Sequence, residues 1–239
     1  MILRFYDLLD KTEFDSKVFI WENVYKVFYK NNLEFPQNAK YKWKQRYVLE
    51  GCFKYKGKKS EKMEFSGDTD FNFKTSEKNK RGKRYICDEF YKIIEKEEKE
   101  DKAKAQQVKA LLDECKTYEK WNVSIMPRTG SLQTVKQGVG RDRLDTFIWC
   151  LDQHYNGNSL LFNYCAAAYI PSLKSFLGLF SSVYEYCECI YNINDELVDL
   201  LIKSGAKPID NVIRVQEYVI LAKKFWHQKK YYLNYGENY

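Results

Sequence analysis

Only two histidines occur in 239 residues, His154 and His227, and neither stands in a recognisable Ser/His or Cys/His setting. A GxSxG elbow is also missing, so nothing in the sequence supports nucleophilic catalysis. The P-loop pattern GxxxxGK[ST] does not occur, and the GxG at Gly138–Gly140 lacks the third glycine of a dinucleotide fingerprint. The seven cysteines are odd in number and scattered, and none forms a CxxC pair. Cys187 and Cys189 stand two apart with no second pair and no histidine beside them, which argues against both a disulfide framework and a zinc site. They read as reduced, mostly buried thiols. No window approaches the roughly 18 apolar residues of a membrane span. The richest, Leu160 to Val183, is interrupted by Asn163, Pro171, Ser172, Lys174 and Ser175. The N-terminal run MILRFYDLLDKTEFD carries charges at Arg4, Asp7 and Asp10 and lacks the apolar core of a secretion signal. These absences predict a cytoplasmic protein with no membrane partner.

Aromatic residues and lysine are abundant. Hydrophobic residues make up 44% and aromatics 17%, which excludes a disordered chain. At this length the chain can bury a full core without staples. The excess of Tyr, Phe, Lys and Asn suggests an AT-rich bacterial or phage genome. Together with the missing metabolic motifs, it suggests a role in phage–host conflict. The formal charge of +7 is uneven. From Lys40 to Arg84 there are 15 Lys and Arg against 6 Asp and Glu, or +9, leaving −2 for the rest. Such a local field attracts polyanions.

The periodicities predict an α+β protein, with an antiparallel sheet or hairpins in the front half packed on a helical C-terminal half. One compact domain is expected: mixed helix and basic strands over 1–84, a charged helix over 85–120, a hairpin plus central helix over 121–155, and helices over 156–239. Val18, Trp21, Val24, Tyr25 and Phe28 recur at helical spacing. From Tyr41 to Phe73, β-branched and aromatic residues alternate with charge and glycines punctuate the pattern, as in strands joined by lysine-rich turns. Lys74 to Arg84 is a polar loop. Asp88 to Glu119 reads as a helix with a possible break in its Glu/Lys-rich middle. Trp121–Met126 and Leu132–Lys136 read as two strands of a hairpin around Pro127-Arg128-Thr129-Gly130. After Gly140 comes the clearest helix, with Leu144, Phe147, Ile148, Leu151 and Tyr155 forming one stripe. Asp142 is placed at its N-cap or first turn, and Asn156-Gly157 stops it. Further helices are expected at Leu160–Ala168, from Ser172 through Tyr184 to Cys189, at Asp195–Ser204 and at Val212–Tyr232.

Four groups of residues could carry chemistry. The loop Lys136-Gln137-Gly138-Val139-Gly140-Arg141-Asp142-Arg143 joins a predicted strand to a helix N-terminus, where backbone N–H groups and the helix dipole favour an anion. Lys136, Arg141, Arg143 and Arg128 would add charge-assisted contacts to phosphate, alongside Gln137, Gly138 and Gly140. The bland alternative is a plain helix-entry loop. Second, Asp145 and His154 could act as acid and base, but more than two helical turns separate them. A salt bridge from Arg141 or Arg143 to Asp145 is the structural alternative. Third, Asp68 and Asp70, at i and i+2, could hold Mg²⁺ if a third carboxylate joined them. The other reading is an acidic turn in basic surroundings. Fourth, YKWKQRY (with Lys42, Lys44 and Arg46) and FKYKGKK interleave cations with aromatics, as a single-strand-binding face does. The same alternation also describes a sheet with its aromatic side on the core.

Pro127, Gly130, Gly138, the run Asp142-Arg143-Leu144-Asp145 and the closing His154-Tyr155 together resemble a bacterial family defined only as a domain of unknown function. The resemblance covers the second half of the chain. It implies an architecture and a candidate site and no reaction. The leading functional expectation is therefore a nucleic-acid or nucleotide-phosphate binding protein with no cofactor and no metal. The alternatives are a metal-dependent nuclease or phosphoryl-transfer enzyme, with Asp68, Asp70, Asp145 and His154 as candidate catalytic residues and Mg²⁺ as cofactor, or a module that binds a protein partner. The oligomeric state is left open.

Overall fold

In a computed structural model the described residues are 33–34, 49–75, 85–115, 122–127, 132, 135–136, 142–158 and 170–235. The helices predicted before Lys30 and at Leu160–Ala168 lie outside them, as do most of the polar loop and the whole of YKWKQRY with Lys42, Lys44 and Arg46. Helices dominate and the strands are few and short, so α+β describes the chain only loosely.

The strands are β1 (Leu33–Glu34), β2 (Leu49–Tyr55), β3 (Lys58–Lys59), β4 (Met63–Thr69) and β5 (Val123–Pro127). They pair antiparallel in the order β1-β2-β4-β5, with β3 folding back on the end of β2. The β2–β3 turn is two residues long, Lys56 (φ 45°) and Gly57 (φ 80°). Two successive positive φ values match the twist of a tight hairpin, and glycine adopts its share at no steric cost.

β5 finds its partner in β4, with Phe65 opposite Pro127 and Thr69 opposite Val123. The expected hairpin with a strand at Leu132–Lys136 does not form, because Leu132, Val135 and Lys136 are helical. Leu132, Val135 and Lys136 are all fully buried or nearly so. Their i, i+3, i+4 spacing gathers them on one face of a helical turn, where a strand would have sent Val135 and Lys136 to opposite sides.

The helices are α1 (Ile86–Glu97), α2 (Lys102–Cys115), α3 (Leu144–Tyr155), α4 (Ile170–Leu177), α5 (Val183–Tyr191), α6 (Asp195–Gly205) and α7 (Val212–Tyr235). α1 and α2 are the two parts of the charged helix, divided at residues 98–101. Phe90, Ile94, Ala105, Val108, Leu112 and Cys115 give them a buried side. The helix expected to run from Ser172 to Cys189 is also two, α4 and α5. Ser182 starts the second: its hydroxyl accepts from the Glu185 N–H at 3.2 Å, so the chain is capped afresh there. α6 starts the same way on Asn194, which accepts from the Leu197 N–H at 3.0 Å.

α7 is the spine of the core. Val215, Tyr218, Val219, Ala222, Phe225 and Trp226 are all buried. Fully burying a large apolar side chain is worth about 1.5–3 kcal/mol. Phe71, just beyond β4, sits edge-on among Tyr218, Phe225 and Trp226 at 5.3–6.1 Å between ring centroids. Asn122 locks this corner: it accepts from the Phe71 N–H (2.7 Å), donates to the Phe71 carbonyl (2.6 Å), and accepts from the Trp226 indole (3.0 Å).

Candidate functional site

Six of the charged residues singled out from the sequence, Asp68, Asp70, Lys136, Asp142, Arg143 and Asp145, lie in a buried polar layer between the end of β4, the entry to α3 and the far half of α7. Asp68 and Asp70 leave β4 two residues apart, and each is matched by its own ammonium. Lys136 Nζ donates to Asp68 Oδ2 at 2.9 Å and to the Thr69 carbonyl, and lies 3.0 Å from Asp142 Oδ1. That last contact is an ion pair out of line for a hydrogen bond. Asp142 Oδ2 is satisfied by the Asn72 amide at 2.6 Å. Lys229 Nζ lies 2.8 Å from Asp70 Oδ2 and 2.6 Å from Ser124 Oγ, which itself donates to Asp70 at 3.0 Å. The expected pair of carboxylates facing a shared cation is thus two separate ion pairs. Among the described residues no group of three or more His, Cys, Asp or Glu side chains could hold a metal ion.

Both lysines are buried, but their pKa values shift in opposite directions. Burial alone lowers an ammonium pKa. For Lys136 that cost is outweighed by the Asp142 and Asp68 carboxylates, and its pKa is raised. For Lys229 burial outweighs the Asp70 carboxylate, and its pKa is lowered.

Asp142 is not the cap of α3. It has φ 71°, a left-handed conformation that is uncommon away from glycine. The N-cap is Arg143, and the first-turn acid is Asp145. Arg143 forms a two-pronged pair with Asp145 (Nε 2.9 Å, Nη2 2.7 Å), the structural salt bridge offered as one reading of the sequence. Asp145 is fully buried and also accepts from Ser204 Oγ at 2.7 Å and the Thr146 N–H at 2.8 Å. The guanidinium reaches the Lys207 carbonyl and stacks 5.7 Å from the Tyr218 ring. Burial opposes its charge but the Asp145 hydrogen bonds prevail, so its pKa rises. Among the described residues, the hydroxyls of Tyr186, Tyr191 and Tyr218 are buried without a hydrogen-bond partner. Burial raises all three well above the phenol range.

His154 sits at the other end of α3 from Asp145 and touches Tyr155, 5.2 Å between ring centroids. Burial and the nearby Lys174 lower its pKa. It does not meet Asp145, as the helical spacing required. Burial pushes the Cys115 and Cys150 thiols up to about 11 and Cys189 to about 12, so they stay protonated at neutral pH. Arg128, Gln137, Gly138, Gly140 and Arg141 lie outside the described residues. Of the anion loop, the structure describes Lys136, Asp142 and Arg143, and their charges are matched within the chain.

On the surface the arrangement differs. The β2–β3 hairpin carries exposed Lys56, Lys58, Lys59 and, on the return arm, Lys62. Lys56 pairs with Glu185 at 2.7 Å, the Glu61 N–H donates to Ser175 Oγ at 2.8 Å, and Tyr55 packs on Phe180 at 5.3 Å. Tyr55 faces the helices, and Lys56, Lys58, Lys59 and Lys62 are exposed to water.

Sequence reading did not select Lys229, Ser124, Asn122, Asn72 or Ser204 for this layer. For Lys229 a signal existed: it continues the apolar stripe Ala222, Phe225, Trp226 at i+7, and a lysine on such a stripe needs a buried partner. For Asn122 and Ser204 the sequence carries no signal. Comparison of the chain with known protein families, curated proteins and solved structures finds no match.

Proposed function

We propose that the chain binds nucleic acid, with the lysine hairpin as the contact surface. The observation that carries this is the difference in exposure between its two sets of cations. Lys136, Arg143 and Lys229 are buried and matched by carboxylates. From Lys54 to Lys62, five lysines accompany the single acid Glu61, and Lys56, Lys58, Lys59 and Lys62 are exposed. Exposed lysines on a tied-down hairpin meet phosphates at little ordering cost. In this reading the antiparallel strands form the presenting layer, and the helical C-terminal half supports it from behind. The buried polar layer then fixes the register of β4, β5 and α7 and leaves the anion contacts to the surface.

Fluorescence anisotropy with short labelled DNA and RNA tests this. Binding is expected at low salt, weakening steeply between about 50 and 200 mM salt. No binding at low salt ends the proposal.

A further inference from the structure

We draw no further inference here: the strongest candidate, the apolar surface strip that the exposed Ile213 and Ile220 form on one face of α7, rests on exposure alone, and nothing in the structure shows what covers it.

Discussion

Gly205 meets the backbone of Asp145 so closely that a Cβ at Gly205 would lie 2.1 Å from the Asp145 carbonyl oxygen and 2.8 Å from the Thr146 nitrogen. The last turn of α6 thus crosses the first turn of α3 with no side chain between them. Across the crossing Ser204 donates to Asp145 and Thr146 donates to the Gly205 carbonyl, and Arg143 reaches over it to the Lys207 carbonyl. Since the opposing atoms are backbone, neither helix can yield locally. Gly205→Ala is therefore expected to destabilise the fold by about 1–3 kcal/mol, the usual cost of overpacking. Calorimetry should show a melting point several degrees lower. An unchanged melting point would mean the helices do not approach this closely.

Lys136 is the hinge of the buried layer, since Asp68 and Asp142 both depend on it. Lys136→Met is expected to cost about 3 kcal/mol or more at neutral pH, because it leaves two carboxylates in the interior without their cation. Urea denaturation measures it, and the loss should shrink in acid, where the carboxyls can protonate. The alkaline limb gives a second check. The folded pKa of Lys136 is raised above 10.5, so its contribution is fully present below pH 10.5 and is lost as the pH climbs above that toward the folded pKa. The wild-type advantage over Lys136→Met should fall in that range. A constant advantage through pH 11 would contradict the assigned pairing.

Lys229 behaves in the opposite sense. Its folded pKa is depressed, so the folded state binds the proton less well than the unfolded one, and stability rises as the pH approaches 10.5 from below. Removing the lysine alone leaves Asp70 buried with only Ser124 beside it. Lys229→Met should therefore be strongly destabilising, and adding Asp70→Asn should recover part of the loss, since a neutral pair in the interior is tolerated better than a single charge. A double-mutant cycle checks this. Additive losses would show that the two groups do not interact.

The contrast between Lys136 and Lys229 shows what could be read in advance. The α3 stripe, the break between α1 and α2 and the start of α6 follow from periodicity and capping, which are local. The pairing of Arg143 with Asp145 was also within reach, two residues apart at a helix start. The rest depends on distance. Lys136 looks like a surface cation of a glycine loop until β4, 67 residues earlier, delivers Asp68 and the Thr69 carbonyl to it. Leu132, Val135 and Lys136 are helical, yet in the sequence they read as a strand because a short apolar run fits either period. Only the burial of Leu132, Val135 and Lys136 together decides between them.

Glu185 holds the hairpin down, and its charge state provides the last test. The Lys56 ammonium first, then the N–H and hydroxyl of Ser181, keep its carboxyl at about 2. The folded pKa is lower than the usual carboxylate value of 4.5, so the contribution is present above pH 4.5 and lost as pH falls toward 2. Lys56 is two-thirds exposed, so solvent screens the pair and its effect on global stability is small. The effect should be local and functional. Glu185→Gln is expected to leave the melting point almost unchanged and to speed amide exchange from Tyr55 to Lys59. It also releases Lys56 as a further phosphate contact. If the hairpin is the nucleic-acid surface, the salt slope of nucleic-acid binding should steepen by about 0.7–0.9 in this variant, one cation's worth, even as the ribbon loosens. A slope identical to wild type would separate Lys56 from the contact surface and would count directly against the hairpin as the binding element.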